Sequence, residues 1–177
     1  GWNFGLSVAV DASFAIVGTP RDHSGPNGQE NHSLYKLSGA AYIYKVDSNG
    51  NWNKKSNLKA TDWQIWAEFG YSVSISGNYA IVGSKNDYSN SPFNAESYIY
   101  RTTDDGETWS LATKVTPHNG SSTVNDKFGM SVSINGDYAI VGAIWEDSDA
   151  TGSGDNVSNS GAAYIYKTTD NGASWTQ

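Results

Sequence analysis

Cysteine is absent from this sequence, and methionine (1) and proline (4) are rare. Without cysteine the chain cannot form disulfides, zinc–thiolate sites or a catalytic thiol. Residues that favour helices, such as leucine and glutamate, are also few, whereas Gly (19), Tyr (11) and Trp (7) are abundant. Glycine favours turns and aromatic residues favour strands. The composition therefore predicts an all-β protein.

Positive charge is scarce as well. The 11 Lys and Arg residues are scattered, with no more than two in a row, and the formal net charge is −7. Nucleic acids and anionic membranes are bound by concentrated basic surfaces, so we expect neither as a partner. No apolar run approaches the ~18 residues of a spanning helix, so we expect no membrane insertion. No charged-then-apolar leader opens the sequence, and we expect any signal peptide to be removed or to lie outside it.

What the sequence does contain is a threefold repeat. The strings FGLSVAVDASFAIVGT, FGYSVSISGNYAIVGS and FGMSVSINGDYAIVGA begin at Phe4, Phe69 and Phe128. Each string is followed by a loop of variable length, a run containing YIY, and a turn that ends in Trp. Such a repeat indicates one structural unit used three times. The units, of which the third has a truncated last segment, are residues 1–68, 69–127 and 128–177.

Each repeat has the pattern of four antiparallel strands. Val73 and Ile75 alternate with serines, which is the period-two pattern of a strand. Asn135-Gly136 has residue types that accept positive φ in a two-residue hairpin, so the AIVG run is predicted to return as the second strand. Because AIVG is apolar on both faces, we expect it to be buried between layers, with the YIY and Trp runs as more peripheral strands. Four such strands form a β-propeller blade.

The strings FGYSVSISGNYAIVGS and FGMSVSINGDYAIVGA resemble FG-GAP repeats, specifically the bacterial-type variety with a short first hairpin. The resemblance implies a β-propeller like those of integrin α-chain heads and of many secreted or cell-surface proteins, with a role in binding rather than catalysis. In integrin-like repeats an acidic calcium loop, DxDxDG, lies between the two strands of this hairpin. Here SGN, NGD or DAS takes its place, so no calcium site is implied there.

The turns TTDDGETW (102–109) and TTDNGASW (168–175) are similar to the Asp-box of sialidase-like propellers, and VDSNGNW (46–52) is a shortened version. In such a turn Asp accepts backbone hydrogen bonds, Gly supplies positive φ and Trp covers the blade end. Asp-boxes occur in functionally unrelated propellers. A sialidase would also need an arginine cluster for its carboxylate substrate, whereas the chain has only Arg21 and Arg101. We therefore predict a structural role for these turns.

An acidic loop, DSDATGSGD at 147–155, is the most specific candidate for a metal site. Oxygen-bearing residues stand at positions 1, 3, 5 and 9 of a calcium-loop pattern, namely Asp147, Asp149, Thr151 and Asp155. Position 12 is Ser158 instead of the usual Glu. A solvated, glycine-rich loop explains the same residues without metal. We expect no required cofactor, with calcium as the alternative.

Long, unequal loops are predicted to share one face of the blades, which we call the loop face. In a blade, the connections after the second and fourth strands emerge together, here 19–38, 60–68, 84–95, 115–127 and 144–160. Binding residues on a rigid scaffold usually lie in such loops. Our ligand-binding candidates are Trp145, Trp63, Trp66, Tyr88 and Arg21, because aromatic rings beside polar groups suit glycan stacking or protein recognition. Packing of the tryptophans between blades is the alternative.

Catalytic motifs are not evident. His23, His32 and His118 show neither HxxxH nor HxH spacing, and no GxSxG elbow occurs. Nothing selects two carboxylates as an acid and a base. We therefore predict that the protein is not an enzyme. The NxS sequons at Asn31, Asn119 and Asn156 lie in predicted long loops and would be glycosylation sites in a eukaryotic source.

The number of blades bears on assembly. Propellers typically use four to eight blades, so three do not close a ring, and open blades leave unpaired edges. We expect further blades from a longer chain or from identical copies, two copies giving six. The predicted function is a secreted or cell-surface, non-enzymatic module for protein or glycan binding, adhesion or surface assembly. The alternative is a glycan-active propeller enzyme of sialidase or lyase type.

Overall fold

The structure is a computed structural model that describes residues 2–25, 29–31, 33–62, 64–85, 96–117, 126–147 and 159–177. Within these ranges the chain forms eleven β-strands. The described residues include no helix, and hence none that is long and apolar enough to cross a membrane. The predicted all-β class is confirmed.

The strands form three antiparallel sheets that follow one another along the chain. Sheet 1 contains β1 (Ser7–Asp11), β2 (Phe14–Thr19), β3 (Ala40–Val46) and β4 (Trp52–Leu58). Sheet 2 contains β5 (Phe69–Ser76), β6 (Tyr79–Ser84), β7 (Ser97–Arg101) and β8 (Ser110–Val115). Sheet 3 contains β9 (Phe128–Asn135), β10 (Tyr138–Ala143) and β11 (Ala162–Lys167). Consecutive strands are neighbours in every sheet, which is the order expected of propeller blades.

The first hairpin of each sheet closes through a two-residue loop, as predicted. In sheet 3 Asn135 pairs with Tyr138, so the loop consists of Gly136 and Asp137. Gly136 has a φ of +54°, a conformation that glycine adopts without steric cost. The prediction that Asn135-Gly136 forms the turn was therefore wrong by one residue, because Asn135 completes the ladder as the last residue of β9.

Each sheet packs face to face against the next. We call the face that contacts the following sheet the front and the opposite face the back. Ile16 and Ile43 on the front of sheet 1 share a buried cluster with Val73 and Ile75 on the back of sheet 2. The front of sheet 2 and the back of sheet 3 form a second cluster of the same kind. Burying one such side chain contributes roughly 1.5–3 kcal/mol, so these two junctions hold the sheets together.

The third strand of the middle sheet differs from its prediction. Tyr98, Ile99 and Tyr100 are all buried, although the YIY runs were expected to be peripheral. The reason is that adjacent sheets cover both faces of sheet 2. In sheet 3, whose front is uncovered in this chain, Ile165 of the same run is exposed.

At each junction between sheets, the glycine of one AIVG run meets the glycine of the next FG pair. A Cβ on Gly70, the glycine of the second FG pair, would lie 2.2 Å from the carbonyl oxygen of Ala40. A Cβ on Gly18, the glycine of the first AIVG run, would lie 2.1 Å from the carbonyl oxygen of Gly70. The Ser7 hydroxyl donates a hydrogen bond of 2.9 Å to that same Gly70 oxygen. The FG and AIVG glycines are thus required for the close approach of neighbouring sheets.

Candidate functional site

The loop face lies at the sheet ends where the second and fourth strands finish. At the junction of sheets 1 and 2, Arg21 follows β2, Glu68 precedes β5 and Lys85 follows β6. The carboxylate of Glu68 is nearly buried and lies 3.8 Å from Arg21 Nε and 3.7 Å from Lys85 Nζ. Glu68 therefore joins the loops of two sheets, while the Arg21 side chain stays 53% exposed. The candidate Arg21 is thus held in place and remains accessible.

Trp66 lies in the same connection, two residues before Glu68. Its backbone N–H donates to the carbonyl of Lys36 at 2.9 Å, and the Lys36 ammonium lies 4.6 Å from the centre of its ring. A cation at this distance from an indole is attracted by the ring. The side chain is half-buried. Trp66 therefore fixes one loop against another and offers only part of its ring to a ligand.

Trp145 follows β10 and is the most exposed of the described tryptophan candidates. Its backbone N–H donates to the carbonyl of Asp126 at 3.2 Å, and Lys127 Nζ lies 5.5 Å from its ring centre. The residue is 44% exposed, so it is not packed between the sheets. Trp145 presents an aromatic ring beside a cation, on a loop anchored to sheet 3.

Beneath the loop face, each sheet holds a carboxylate against the first tyrosine of its YIY run. The three tyrosine hydroxyls donate at 2.7–2.8 Å in the pairs Tyr42–Asp22, Tyr98–Glu96 and Tyr164–Glu146. Each pair ties the loop after the second strand to the third strand. Recurrence in all three sheets indicates a structural role. Sequence reasoning missed these pairs, although the aligned Tyr with an acid in the preceding loop was a usable signal.

In sheet 1 this pair is extended by a buried lysine. Lys59 Nζ lies 2.9 Å from Asp22 Oδ1 and also donates to the carbonyls of Ser24 and Gly39. Burial alone would raise the pKa of Asp22, but the hydrogen bonds from Ser24, Lys59 and Tyr42 outweigh it and hold the pKa below its ordinary value. Burial lowers the pKa of Lys59. The geometry is that of a satisfied buried ion pair.

The corresponding cluster in sheet 2 is open to solvent. Lys114 Nζ lies 2.6 Å from Asp62 and 2.9 Å from Glu96, and the Tyr98 hydroxyl lies within 2.9 Å of both carboxylates. Burial would lower the pKa of Lys114, but the hydrogen bonds to Asp62 and Glu96 raise it. An efficient acid–base catalyst has a pKa near the working pH, and this lysine is moved away from it. The cluster is therefore arranged for ion pairing.

The turns opposite the loop face are closed by aspartates, as their sequence predicted. Asp104 accepts hydrogen bonds from the N–H and the hydroxyl of Thr108 at 2.9 and 2.6 Å. Asp170 accepts the same two bonds from Ser174. In the shortened turn, Asp47 accepts from the N–H groups of Asn49 and Asn51. These three carboxylates thus fix the backbone conformation of their turns.

In the two full-length turns, the tryptophan at the end packs on the preceding sheet. The ring of Trp109 meets Phe14 edge to face, with centroids 5.5 Å apart and an interplanar angle of 87°. Trp175 meets Tyr79 at 5.5 Å and 88°. Such contacts contribute about 0.5–1.5 kcal/mol beyond the burial of area. The turns are therefore part of the junctions between sheets.

The Asp170 turn makes a prediction for its carboxyl titration. The hydrogen bonds from Ser174 lower the pKa of Asp170 to about 2, so their contribution to stability is present above the ordinary pKa of 3.8 and lost as the pH falls through 2. We expect Ser174→Ala to raise this pKa toward 3.8, as followed by carbon-13 NMR of the carboxyl. Ser174→Thr should leave it near 2, since Thr108 does the same in sheet 2. Equal titration in all three proteins would contradict this assignment.

The remaining sequence candidates are placed only in part. Seven of them lie outside the described residues: Trp63, Tyr88, Asp149, Thr151, Asp155, Asn119 and Asn156. Asp147 accepts a hydrogen bond from the N–H of Asn159, across the base of its loop. Asn31 is exposed, and its amide oxygen accepts from the N–H groups of Ser33 and Leu34. Among the residues that the structure describes, no three His, Asp or Glu side chains are gathered for a metal ion, and the calcium site stays a prediction.

Comparison with known families agrees with the three-sheet arrangement. The model of the FG-GAP repeat family matches residues 52–100 and 109–166. Each match runs from the fourth strand of one sheet through the third strand of the next. Comparison with curated proteins gave no match. Since the two family matches together cover more than half of the sequence, this chain belongs to the FG-GAP repeat family.

Proposed function

We propose that the chain is a non-enzymatic propeller module that acts outside the cell or at its surface, in adhesion or surface assembly. Its loop face contacts a protein or glycan partner. Membership of the FG-GAP family supports this role, because these repeats are typical of modules involved in binding or adhesion. The observation that carries the proposal is the exposed ring of Trp145 beside Lys127.

The geometry around Trp145 suits recognition by stacking. A sugar ring or a partner's side chain can lie on the open part of the indole, because such rings bind apolar surfaces and cations alike. The backbone bond to Asp126 holds the loop in place before any partner arrives, so little freedom is lost on binding. The exposed Arg21 adds a planar set of donors that suits carboxylate groups. These features favour a binding surface.

Several of the described carboxylates have structural tasks. Asp62 and Glu96 share Lys114, while Asp104 and Asp170 close turns and have pKa values of about 2. A general acid must still carry its proton at the working pH, which a carboxyl with a pKa of about 2 does not. This environment supports the non-enzymatic assignment.

Binding through Trp145 can be tested directly. Glycans and purified extracellular-matrix proteins are arrayed, and the best ligand is then titrated in solution against the immobilised chain. Trp145→Ala should weaken binding at least about tenfold, the effect expected of a central aromatic contact. Asn78→Ala is the control, because Asn78 is exposed but lies in the hairpin turn between β5 and β6, opposite the loop face. Equal affinity of the two variants would refute a role for Trp145. Release of sugar products from any arrayed glycan would overturn the non-enzymatic assignment.

A further inference from the structure

Two apolar sheet faces are exposed at opposite ends of the row of sheets. We call the front of sheet 3 the front end face and the back of sheet 1 the back end face. On them lie six side chains that are 40–69% exposed: Tyr138, Ile140 and Ile165 in front, and Val8, Val10 and Trp52 at the back. Contiguous apolar surface of this kind marks an interaction site in a soluble protein. Both end faces are distinct from the loop face, and their role is independent of its proposed function.

The equivalent side chains of the inner sheets are buried. Ile140 and Ile165 stand where sheet 2 has Ile81 and Ile99, which are fully buried against sheet 3. At the other end, Val10 stands where sheet 2 has Ile75, which is 5% exposed. The positions are equivalent because the strand registers of the three repeats coincide. Each end face is therefore one half of a junction that the molecule already forms twice.

The aromatic pairs of the inner junctions have equivalents on the two end faces. At the inner junctions, the tryptophan of one sheet meets an aromatic ring at the start of the preceding sheet's second strand, in the pairs Trp109–Phe14 and Trp175–Tyr79. Trp52 on the back end face and Tyr138 on the front end face are the next members of these two sets. Both are exposed in this chain. Their pairing would repeat the edge-to-face geometry a third time.

Polar groups show the same complementarity. The Ser7 hydroxyl donates to the carbonyl of Gly70, and the Ser72 hydroxyl donates to that of Gly129. The next donor in this series is Ser131, on the front end face, and the equivalent acceptor is Gly5, on the back end face. Gly5 has a φ of +85°, as Gly70 has +89°, and a Cβ on it would meet nothing within 4 Å. The backbone of Gly5 is thus shaped for a close approach that this chain alone does not supply.

Charged groups complete the match. Lys45, after the YIY run of sheet 1, contacts the Asp105 turn of sheet 2 at 2.6 Å, and Arg101 reaches the carbonyl of Asn171 in the same way. Lys167 is the equivalent cation of sheet 3. The turn that it would meet follows Asp47, on the back end face. Apolar, aromatic, polar and charged features thus indicate the same occupant, another sheet of this family.

We propose that two copies of this chain associate head to tail, the front end face of each against the back end face of the other, into a closed ring of six sheets. The second copy carries the required sheet face at its opposite end. Six is the only multiple of three within the four to eight blades that propellers typically use. Closure forms the junction twice, so the second contact is intramolecular and strengthens the first. The ring leaves neither end face exposed.

The mass in solution tests this proposal. Analytical ultracentrifugation at about 100 μM should give twice the chain mass of 19.0 kDa. Ile140→Asp, which places a charge on the front end face, should raise the dimer dissociation constant at least about hundredfold. Ile140 is exposed in the single chain, so the variant should keep the circular dichroism and melting temperature of a folded protein. Leu34→Asp, at an exposed apolar position in the loop after β2, is the matched control and should remain dimeric.

Mixing variants distinguishes head-to-tail association from other dimers. Ile140→Asp and Val10→Lys should each be monomeric alone, because each spoils both junctions of the ring. An equimolar mixture should form heterodimers, since one junction then has two unaltered faces and the other brings Asp against Lys. A wild-type mass of 19.0 kDa would overturn the proposal and assign the end faces to further blades of other origin. Open polymers, a dimer insensitive to Ile140→Asp, or a mixture that stays monomeric would each overturn it as well.

Discussion

Replacement of Lys59 by Met should destabilise the protein by about 3–5 kcal/mol, the usual cost of removing one partner from a buried ion pair. Asp22 would then be a buried carboxylate without its cation, and two backbone carbonyls would lose a donor. The methionine fills a similar volume, so the loss would report charge and hydrogen bonding rather than a cavity. Urea denaturation followed by tryptophan fluorescence measures the difference.

Lys114, near the end of the fourth strand of sheet 2, provides the control. Lys114→Met breaks two ion pairs as short as that of Lys59, but all three groups are partly exposed. Exposed pairs contribute about 0–1 kcal/mol, so this variant should lose far less. Equal losses in the two variants would contradict the role assigned to burial.

The pH dependence of the Lys59→Met effect has a definite sign. In the wild type the pKa of Asp22 lies below its ordinary value of 3.8, so the pair stabilises the fold above that pH and its contribution is lost as the pH falls. Without Lys59 the carboxyl is expected to take up its proton more readily. The difference in unfolding free energy between wild type and variant should therefore narrow below about pH 4. A difference that widens there would refute the ion pair as its cause.

Gly70→Ala should have the second large effect, a destabilisation of roughly 2–6 kcal/mol. Part of the cost is strain at a φ of +89°, about 1–3 kcal/mol for a residue other than glycine. The rest arises because the new methyl group would lie 2.2 Å from the Ala40 carbonyl oxygen, and overpacking costs about 1–3 kcal/mol. Thermal or urea unfolding gives the total.

A matching change at Gly5 separates the cost of backbone strain from the cost of overpacking. It is the glycine of the first FG pair and has a φ of +85°, but its Cβ would meet nothing within 4 Å. Gly5→Ala should thus show the backbone strain alone. Both changes are best compared in the Ile140→Asp background, where no second copy covers Gly5. If the two variants lost equal stability, the close approach of sheets 1 and 2 would not be the reason for glycine at position 70.

The fold could be predicted from local patterns because its determinants are local. Alternation in GYSVSIS specifies a strand, and Gly77, three residues before AIVG, ends it in a hairpin, so the error in turn placement was a single residue. That Ile99 is buried whereas Ile165 is exposed could not be predicted in this way. The two residues occupy the same place in the same motif, and only the presence of a neighbouring sheet distinguishes them.

The site was less accessible to sequence reasoning. Trp145 and Arg21 were selected by residue type and loop position, and both are exposed. The contact of Asp22 with Lys59 joins residues from different loops, and no spacing in the sequence signals it. Pairs of this kind depend on how strands β2 and β4 end at one side of the sheet, which is a property of the folded chain.

The register of the family matches has a consequence for how such a chain can lengthen. Because each matched unit begins with the fourth strand of one sheet and ends with the third strand of the next, a single unit never corresponds to one sheet. A duplication of one unit would supply the outer strand of an existing sheet together with three strands of a new one. An array that grows by such duplications therefore contains only complete sheets in its interior. Every two neighbouring sheets are then linked by a segment that belongs to a single duplicated unit.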